Sequence, residues 1–476
     1  MRQLRSQLAR RGRHARVSIV LGLTLLGAGS ALGCAGDGAA EPSAPINDAA
    51  SLQPAGETIV VSNAAELVTA LSPPSAGKRI LLRAGTYALN APLTVPDGVT
   101  LEGEGEMRFD GAGLPQGFGA GAHTTLTMST NAPGNMLTLG DRVTIRRLEI
   151  ADLIGRPGNV VAVVSRRVGD RVSASIAESE IVNPNPLGVG PDGPTGYGLL
   201  VLTSNANLGG DPAPHQGATL KAGMVRSVIR SPGGGGGLLV FNFAALGSVS
   251  VTLSGNIVGG GANGLNANGG VSRPDAVHDS QVRLDSQRNL YRDDSSDPCA
   301  TPHFGWNLTG GSGPPAPLPV SETARNSLRV NSVDDRIEGF TNGVVATGSR
   351  RFFGEPIAGP STDNSIDLKM LGTRISTPSC GGAQFVRDLD LEGAFAGDDA
   401  LFPGDGNSLR AVVRGVTGSG PRFNLYANSQ GPSGPLPPAV QGDNRLEIVG
   451  SPEAFARTNR QITPAPGAQY FTGAVP

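Results

Sequence analysis

The sequence predicts an all-β chain wound into a solenoid, with short strands stacked turn upon turn and one short helix closing the N-terminal end. Three observations predict it. First, Lys78–Gly105 holds three short apolar runs, Ile80–Leu82, Leu93–Val95 and Val99–Leu101, each closed by a Gly or Pro-Asp-Gly turn and none able to bury a core alone. Second, such runs recur. Gly198-Leu199-Leu200-Val201 returns further on as Gly237-Leu238-Leu239-Val240, and Val99–Gly103 is echoed by Val143–Ile150. Third, 70 Gly and 37 Pro among 476 residues, with only 4% aromatics, suit many strands and turns better than one large globular core.

Taken in order, the N-terminus is a targeting segment. Met1–Arg16 carries six Arg and no acid, Val17–Ala28 is apolar, and Ser30-Ala31-Leu32-Gly33-Cys34 follows. A Cys at that point resembles the lipobox of bacterial lipoproteins, although Ala31 stands where Leu is usual and Leu32 where a smaller residue is usual. The resemblance implies lipid attachment at Cys34 and, with Ala35 rather than Asp next, the outer membrane. Loss of residues 1–33 removes six of the 38 basic residues and none of the 40 acidic ones. The remaining chain has net charge −8, which argues against a nucleic-acid partner. Residues 34–57, rich in Ala, Gly, Pro and Ser, read as a flexible tether of roughly 25 Å mean span.

Asn63 with Glu66 three residues on forms a capping-box signal, and Ala64, Leu67, Val68 and Leu71 fall on one helical face. A helix there covers the open end of a solenoid, where apolar interior and unpaired strand edges would otherwise meet water. The entry turn that follows, with Ile80, Leu82, Gly85-Thr86-Tyr87, Leu93, Val95-Pro96 and Gly98-Val99-Thr100-Leu101, resembles the first coil of the right-handed parallel β-helix of the pectate-lyase-like superfamily. That resemblance implies a β-helix over 58–460, followed by a tail at 461–476. Within it, Gly111–His123 reads as a loop thrown out from a coil.

The last third repeats most clearly. Asn326–Val330, Asn364–Leu368, Asn407–Ala411 and Asn444–Ile448 recur at similar intervals, each with apolar residues two and four positions after the Asn. The residues between them, Arg329, Asp367, Arg410 and Glu447, face outward and alternate in sign. One coil per repeat would stack them about 4.8 Å apart as an ion ladder. The repeat is long for a single turn of chain, which favours two modest coils per repeat, with each Asn at a bend bonding its own backbone. A four-stranded propeller blade has similar length, but the Asn-Gly and Asp-Gly hairpins that it needs are sparse.

Cys299 and Cys380 lie in loop-like sequence, and in an oxidising compartment they are expected to pair. Enzymes of the superfamily mostly cut acidic polysaccharides, by elimination with Ca²⁺ and an Arg or Lys base or by hydrolysis with paired carboxylates. Its familiar motifs, among them Trp-Ile-Asp-His and Arg-x-Pro-x-x-Arg, are absent here. The nearest substitutes for catalysis are Arg273, Asp275, His278 and Asp279, beside Asn266 and Asn268 as sugar-binding amides. A turn and a solvated loop are the plainer account of that stretch. Asp388, Asp390 and Glu392 alternate along a strand and are the carboxylates that suggest Ca²⁺ as a cofactor, although a polar outer face explains them more simply. Asp293, Asp294 and Asp297 lack the spacing of a Ca²⁺ loop and read as solvated. Of the aromatics, Phe241 and Phe243 read as core, whereas Tyr291 and Trp306, near Pro-rich loops, read as platforms for sugar rings.

Together these readings describe a monomeric, lipid-anchored outer-membrane protein, facing the periplasm or cell surface, that binds a polysaccharide or other extended polymer. The rivals are a polysaccharide lyase or glycoside hydrolase with an unfamiliar site, and a structural spacer.

Overall fold

The computed structural model describes residues 56–72, 77–165, 167–190, 193–203, 216–272, 276–312, 322–350, 361–380, 386–396, 404–418, 422–430, 434–435, 443–450, 461–464 and 469–471. The segment read as a signal and Cys34 lie outside them, as do Arg273 and Asp275. The chain is a right-handed parallel β-helix. Three sheets of 13, 10 and 12 strands, here sheets 1, 2 and 3, run along its axis. Each turn adds a strand to each sheet in succession, as Ser248–Ser254, Ile257–Gly260 and Asn263–Asn268 do in one coil. Twelve spacings of about 4.8 Å make sheet 1 roughly 60 Å long.

The helix Ala64–Ala70 forms where its capping box predicts. Asn63 Oδ1 accepts the Glu66 N–H at 2.9 Å, and Glu66 Oε2 accepts the Ser62 N–H at 2.7 Å. Leu67, Ala70 and Leu71 are buried over the first coil, whereas Val68, expected on that face, is 49% exposed. The entry turn contains the three expected strands and one more, Gly85–Leu89, which founds sheet 2 and sends Tyr87 into the interior.

Inward positions stack like on like. In sheet 1, Val249, Val282, Leu328, Ile366, Leu409 and Leu446 lie in register, and in sheet 2 so do Ile181, Ile229 and Val258. Each fully buried aliphatic side chain contributes about 2 kcal/mol, so a solenoid of small coils accumulates a core that no single coil could hold.

The register corrects the repeat length. Ser327 pairs directly with Ser365, Ser365 with Ser408 and Ser408 with Arg445, so each repeat is one coil, not two. Coils differ widely in length, from the short one that carries Arg79 to Thr100 to the long one that carries Ser175 to Gly223, because their connections vary far more than their strands do. The outward ladder therefore forms at adjacent-strand distance. Arg329 and Asp367 approach to 3.4 Å, Arg410 and Asp367 to 3.6 Å, and Arg410 and Glu447 to 3.4 Å. The repeat asparagines also differ from expectation, bonding the next coil rather than their own backbone. Nδ2 of Asn326, Asn364 and Asn407 donates to Oδ1 of the Asn one coil on at 3.0, 3.1 and 3.0 Å. The left-handed bend is taken by the residue before, Arg325, Asp363 or Gly406, with φ of 54°, 55° and 65°.

The corner from sheet 1 to sheet 2 is short in coil after coil, for example Arg226-Ser227, Gly255-Asn256, Arg288-Asn289 and Asp334-Asp335. The first residue of each has positive φ; the second is buried. Its side chain bonds along the axis, as Asn256 Nδ2 does to Asn289 Oδ1 at 2.8 Å and Asn289 Nδ2 to Asp335 Oδ1 at 3.1 Å. The other two corners vary in length, and both border sheet 3. Stacking continues past the expected boundary, since Gln461–Pro464 pairs with Arg422–Leu425 and Gln469–Phe471 with Glu447–Val449.

Tyr291 and Trp306 are not surface platforms. Both are fully buried, meeting edge to face across the interior with ring centroids 5.3 Å apart. Strand alternation puts them there: Tyr291 stacks between Val258 and Ile337, and Trp306 between Leu265 and Val344. Phe241 and Phe243 do pack as core, but in a second apolar cluster separate from the main one: Phe243 is buried and Phe241 partly buried, with Tyr197, Leu200, Leu202 and Leu239.

Candidate functional site

Cys299 and Cys380 are joined by a disulfide with Cα atoms 5.5 Å apart. Each lies in a connection from sheet 2 to sheet 3, in coils on either side of the short connection Gly339-Phe340-Thr341. The bond staples one margin of sheet 3. At the opposite margin, long connections lead from Ser312 to Ser327 and from Arg350 to Ser365. The outer face of sheet 3 is thus bordered by variable segments on both sides, the arrangement that scaffolds commonly use for recognition.

Along that face the chemistry changes while the inner face stays aliphatic. One outward row runs Ala162, Leu200, Leu239, Asn266, Asn307, Val345 and Asp390; the parallel row runs Val164, Leu202, Phe241, Asn268, Thr309, Thr347, Glu392 and Tyr426. The early coils are therefore aliphatic outside as well as inside, and the later ones carry amides, hydroxyls and charges. Phe241, Asn266, Asn307, Val345 and Arg350 remain half-buried, and Asp390 and Glu392 are 3% and 4% exposed.

The charged end is a compact ionic cluster. Arg387 binds Asp390 Oδ2, and Arg350 donates to Asn307 Oδ1 at 3.3 Å while facing Glu392 and Asp390. Burial lowers the Arg350 pKa, opposed by the two carboxylates. Its guanidinium also lies 5.2 Å from the Phe395 ring centroid. Burial raises the Tyr426 phenol pKa, reinforced by Asp390. Asp390 Oδ1 is buried with no hydrogen-bond partner. A protein interior rarely keeps such an oxygen unless something else meets it. Further along, Asn266 Nδ2 donates to the Tyr197 hydroxyl at 3.3 Å, and burial pushes the Tyr197 pKa up to about 12.

The residues singled out from sequence fare differently. Asn266 is on this face. Asn268 is occupied internally, donating to Ser312 Oγ at 2.7 Å and accepting the Gly270 N–H at 3.1 Å. Asp279 sits at a left-handed corner, φ 55°, held by two Arg325 nitrogens at 2.8 Å each and by His278 Nδ1 at 2.9 Å. The Arg325 contact, then His278, lower its pKa to about 2, so it is a fixed ion-pair carboxylate.

Of Asp388, Asp390 and Glu392, Asp388 is already engaged. Asp388 occupies the column filled by Gly305 and Gly343 in the preceding coils, where an added Cβ would collide with Ile337 or Ile375, and it accepts from Thr377 Oγ1 at 3.2 Å. Among the described residues no three His, Cys, Asp or Glu side chains converge as a metal site. Sequence reasoning missed Asn307, Arg350, Arg387 and Tyr426, because only cross-coil register puts them together. The available signal was the outward alternation of each sheet 3 strand.

No family model matches this chain, and no curated protein matches it. Similar solved structures include the Dettilon tailspike protein, at 10% identity over 87% of this chain and 68% of that one, with a TM-score of 0.32. A mannuronic-acid-specific polysaccharide lyase of family 6 from human gut microbiota is 10% identical over 86% and 92%, with a TM-score of 0.28. A lacto-N-biosidase from Eubacterium ramulus is 9% identical over 76% and 67%, with a TM-score of 0.24.

Proposed function

We propose that this protein binds an extended, neutral polysaccharide along the outer face of sheet 3, held at the bacterial outer membrane by lipid on Cys34. The observation that carries the reading is the change of that face from aliphatic to amide, guanidinium and carboxylate, in coils whose interior needs none of them. Asn266, Asn307 and Arg350 offer planar donors to sugar hydroxyls, Phe241 offers an apolar ring face, and Asp390 Oδ1 is an unfilled acceptor. Two guanidinium groups and two carboxylates balance, and the mature chain is acidic overall, so nothing selects a polyanion.

Retention of purified protein on immobilised neutral and uronate glycans tests this. Wild type should be retarded by a neutral polymer, and an Asn307→Ala/Arg350→Ala variant should lose at least about tenfold in affinity, or roughly 1.4 kcal/mol. Absence of retention on every polymer refutes the reading.

Polysaccharide cleavage is the second reading, favoured by the placement of Asp390 and Glu392. Alternate residues on a strand lie about 7 Å apart, within the separation used for inverting hydrolysis. New reducing ends, lost in Asp390→Asn and Glu392→Gln, would establish it; unsaturated uronate products would indicate elimination instead.

A further inference from the structure

The connection from the strand Leu290–Asp293 to the strand Phe304–Ser312, tied down at Cys299, forms with the end of the first strand a second cluster that the sheet 3 face does not use. Asp293, read from sequence as a solvated loop residue, keeps only 3% of its side chain accessible. Its Oδ2 lies 2.6 Å from His303 Nδ1, and its Oδ1 accepts the Ser295 N–H at 2.7 Å. On the far side of the ring, His303 Nε2 lies 3.0 Å from Oγ1 of the exposed Thr301. Ser295 Oγ also approaches Nδ1, at 3.2 Å. The backbone of His303 is clamped to Thr341, its N–H donating to Thr341 Oγ1 at 2.8 Å and its carbonyl accepting from that hydroxyl at 3.1 Å.

A surface threonine has water for its hydroxyl, and the fold does not require it to face an imidazole. With Nδ1–H donating its hydrogen bond to Asp293 Oδ2, the Nε2 lone pair is directed at the Thr301 hydroxyl. A buried carboxylate orienting an imidazole that accepts from an accessible hydroxyl is the arrangement that activates an oxygen nucleophile for acyl transfer.

We propose that Thr301, His303 and Asp293 form a catalytic site that hydrolyses O-acyl esters on carbohydrate hydroxyls. The carbohydrate part rests on the polysaccharide reading above; the acyl-transfer chemistry does not. Thr301 Oγ1 attacks the ester carbonyl carbon while its proton passes to His303 Nε2. The C–O bond to the sugar then breaks, and the sugar oxygen leaves with that proton. Water attacks the acyl-threonine carbonyl, giving a proton to Nε2; the acyl–Oγ1 bond breaks, Thr301 recovers the proton, and a carboxylic acid departs. Asp293 keeps its charge throughout and stabilises the imidazolium formed in each half.

The test uses the purified full chain with p-nitrophenyl acetate, an O-acetylated neutral polysaccharide and a fluorophosphonate probe. Both esters should be hydrolysed, and the probe should form an adduct located at Thr301 by mass spectrometry. Thr301→Ala and His303→Ala should lose at least about 100-fold, Thr301→Ser should retain turnover, and Asp293→Asn should lower kcat with little change in KM. Thr301 is exposed, so its variants report without disturbing the fold; an intact Cys299–Cys380 bond and unchanged circular dichroism verify this for the others. No hydrolysis above the Thr301→Ala background, or an adduct elsewhere, overturns the site. Turnover of p-nitrophenyl acetate but not of the acetylated polymer overturns the carbohydrate-ester assignment. Glycan retention, read separately on the same protein, shows whether the polysaccharide reading has failed instead.

Discussion

Asp335 should make the stability of the middle coils fall as pH rises, and Asp335→Asn should abolish that dependence. Asp335 is fully buried at the corner between sheets 1 and 2, where neighbouring coils carry Asn256 and Asn289. Its Oδ1 accepts the Asn289 N–H at 2.8 Å and Asn289 Nδ2 at 3.1 Å, and its Oδ2 accepts from Ser332 Oγ at 2.7 Å. Burial outweighs these contacts and raises its pKa from 3.8 to about 6. That displacement corresponds to about 3 kcal/mol.

The folded carboxyl holds its proton more tightly than the unfolded one. Its contribution is therefore fully present below pH about 4 and is lost as pH rises through about 6. Asparagine keeps the Oδ1 acceptor and replaces the buried charge with a donor facing Ser332. The variant should match wild type near pH 4 and exceed it by up to about 3 kcal/mol at pH 8. Urea unfolding followed by fluorescence of Trp306, the one Trp in the chain, is the assay. Trp306 packs on Tyr291, whose hydroxyl is 2.8 Å from Ser286 Oγ in the same polar cluster, so the probe reads these coils even if the solenoid unfolds in segments. Equal pH dependence in the two proteins, or a less stable variant at pH 8, would refute the reasoning.

Asn407→Ala should destabilise by about 1–3 kcal/mol, because it orphans the buried Asn364 N–H and takes one of several partners from Asn364 Nδ2 and from the Ser361 carbonyl; thermal denaturation measures it. Trp306→Ala should cost about 3–5 kcal/mol in the same assay and leave glycan retention of the folded fraction unchanged, as befits a core residue rather than a sugar platform. Opening the disulfide with Cys299→Ala/Cys380→Ala releases a span of 81 residues and should lower stability by at most about 4.5 kcal/mol in the chain-entropy model, seen as a drop in Tm.

How far the sequence could be read depended on the range of the interaction involved. The capping box at Asn63 and Glu66, the turn glycines of the entry coil and the alternation of each Asn-led strand act between near neighbours in the chain, and all three were legible. Pairing of Arg329, Asp367, Arg410 and Glu447 was legible only as a conditional, since it depends on how many turns separate the repeats. Tyr291 and Trp306 were misjudged because Pro-rich neighbours suggested loops, whereas the alternation within Leu290–Asp293 and Phe304–Ser312 already placed both side chains inward. The ionic cluster of Arg350, Arg387, Asp390 and Tyr426 had no local signature, since its members come from three successive coils.

By itself the sequence determined that this chain stacks short strands and where each strand's apolar side lies, because period-two alternation and turn chemistry are local properties of the backbone. Only the tertiary structure decided which outward residues become neighbours. Stacking sets Arg79 beside Thr100 across a short coil and Ser175 beside Gly223 across a long one, each pair on adjacent strands. Since connection lengths set that register, a loop of variable length, not any motif, fixes which side chains share the face on which the proposed chemistry rests.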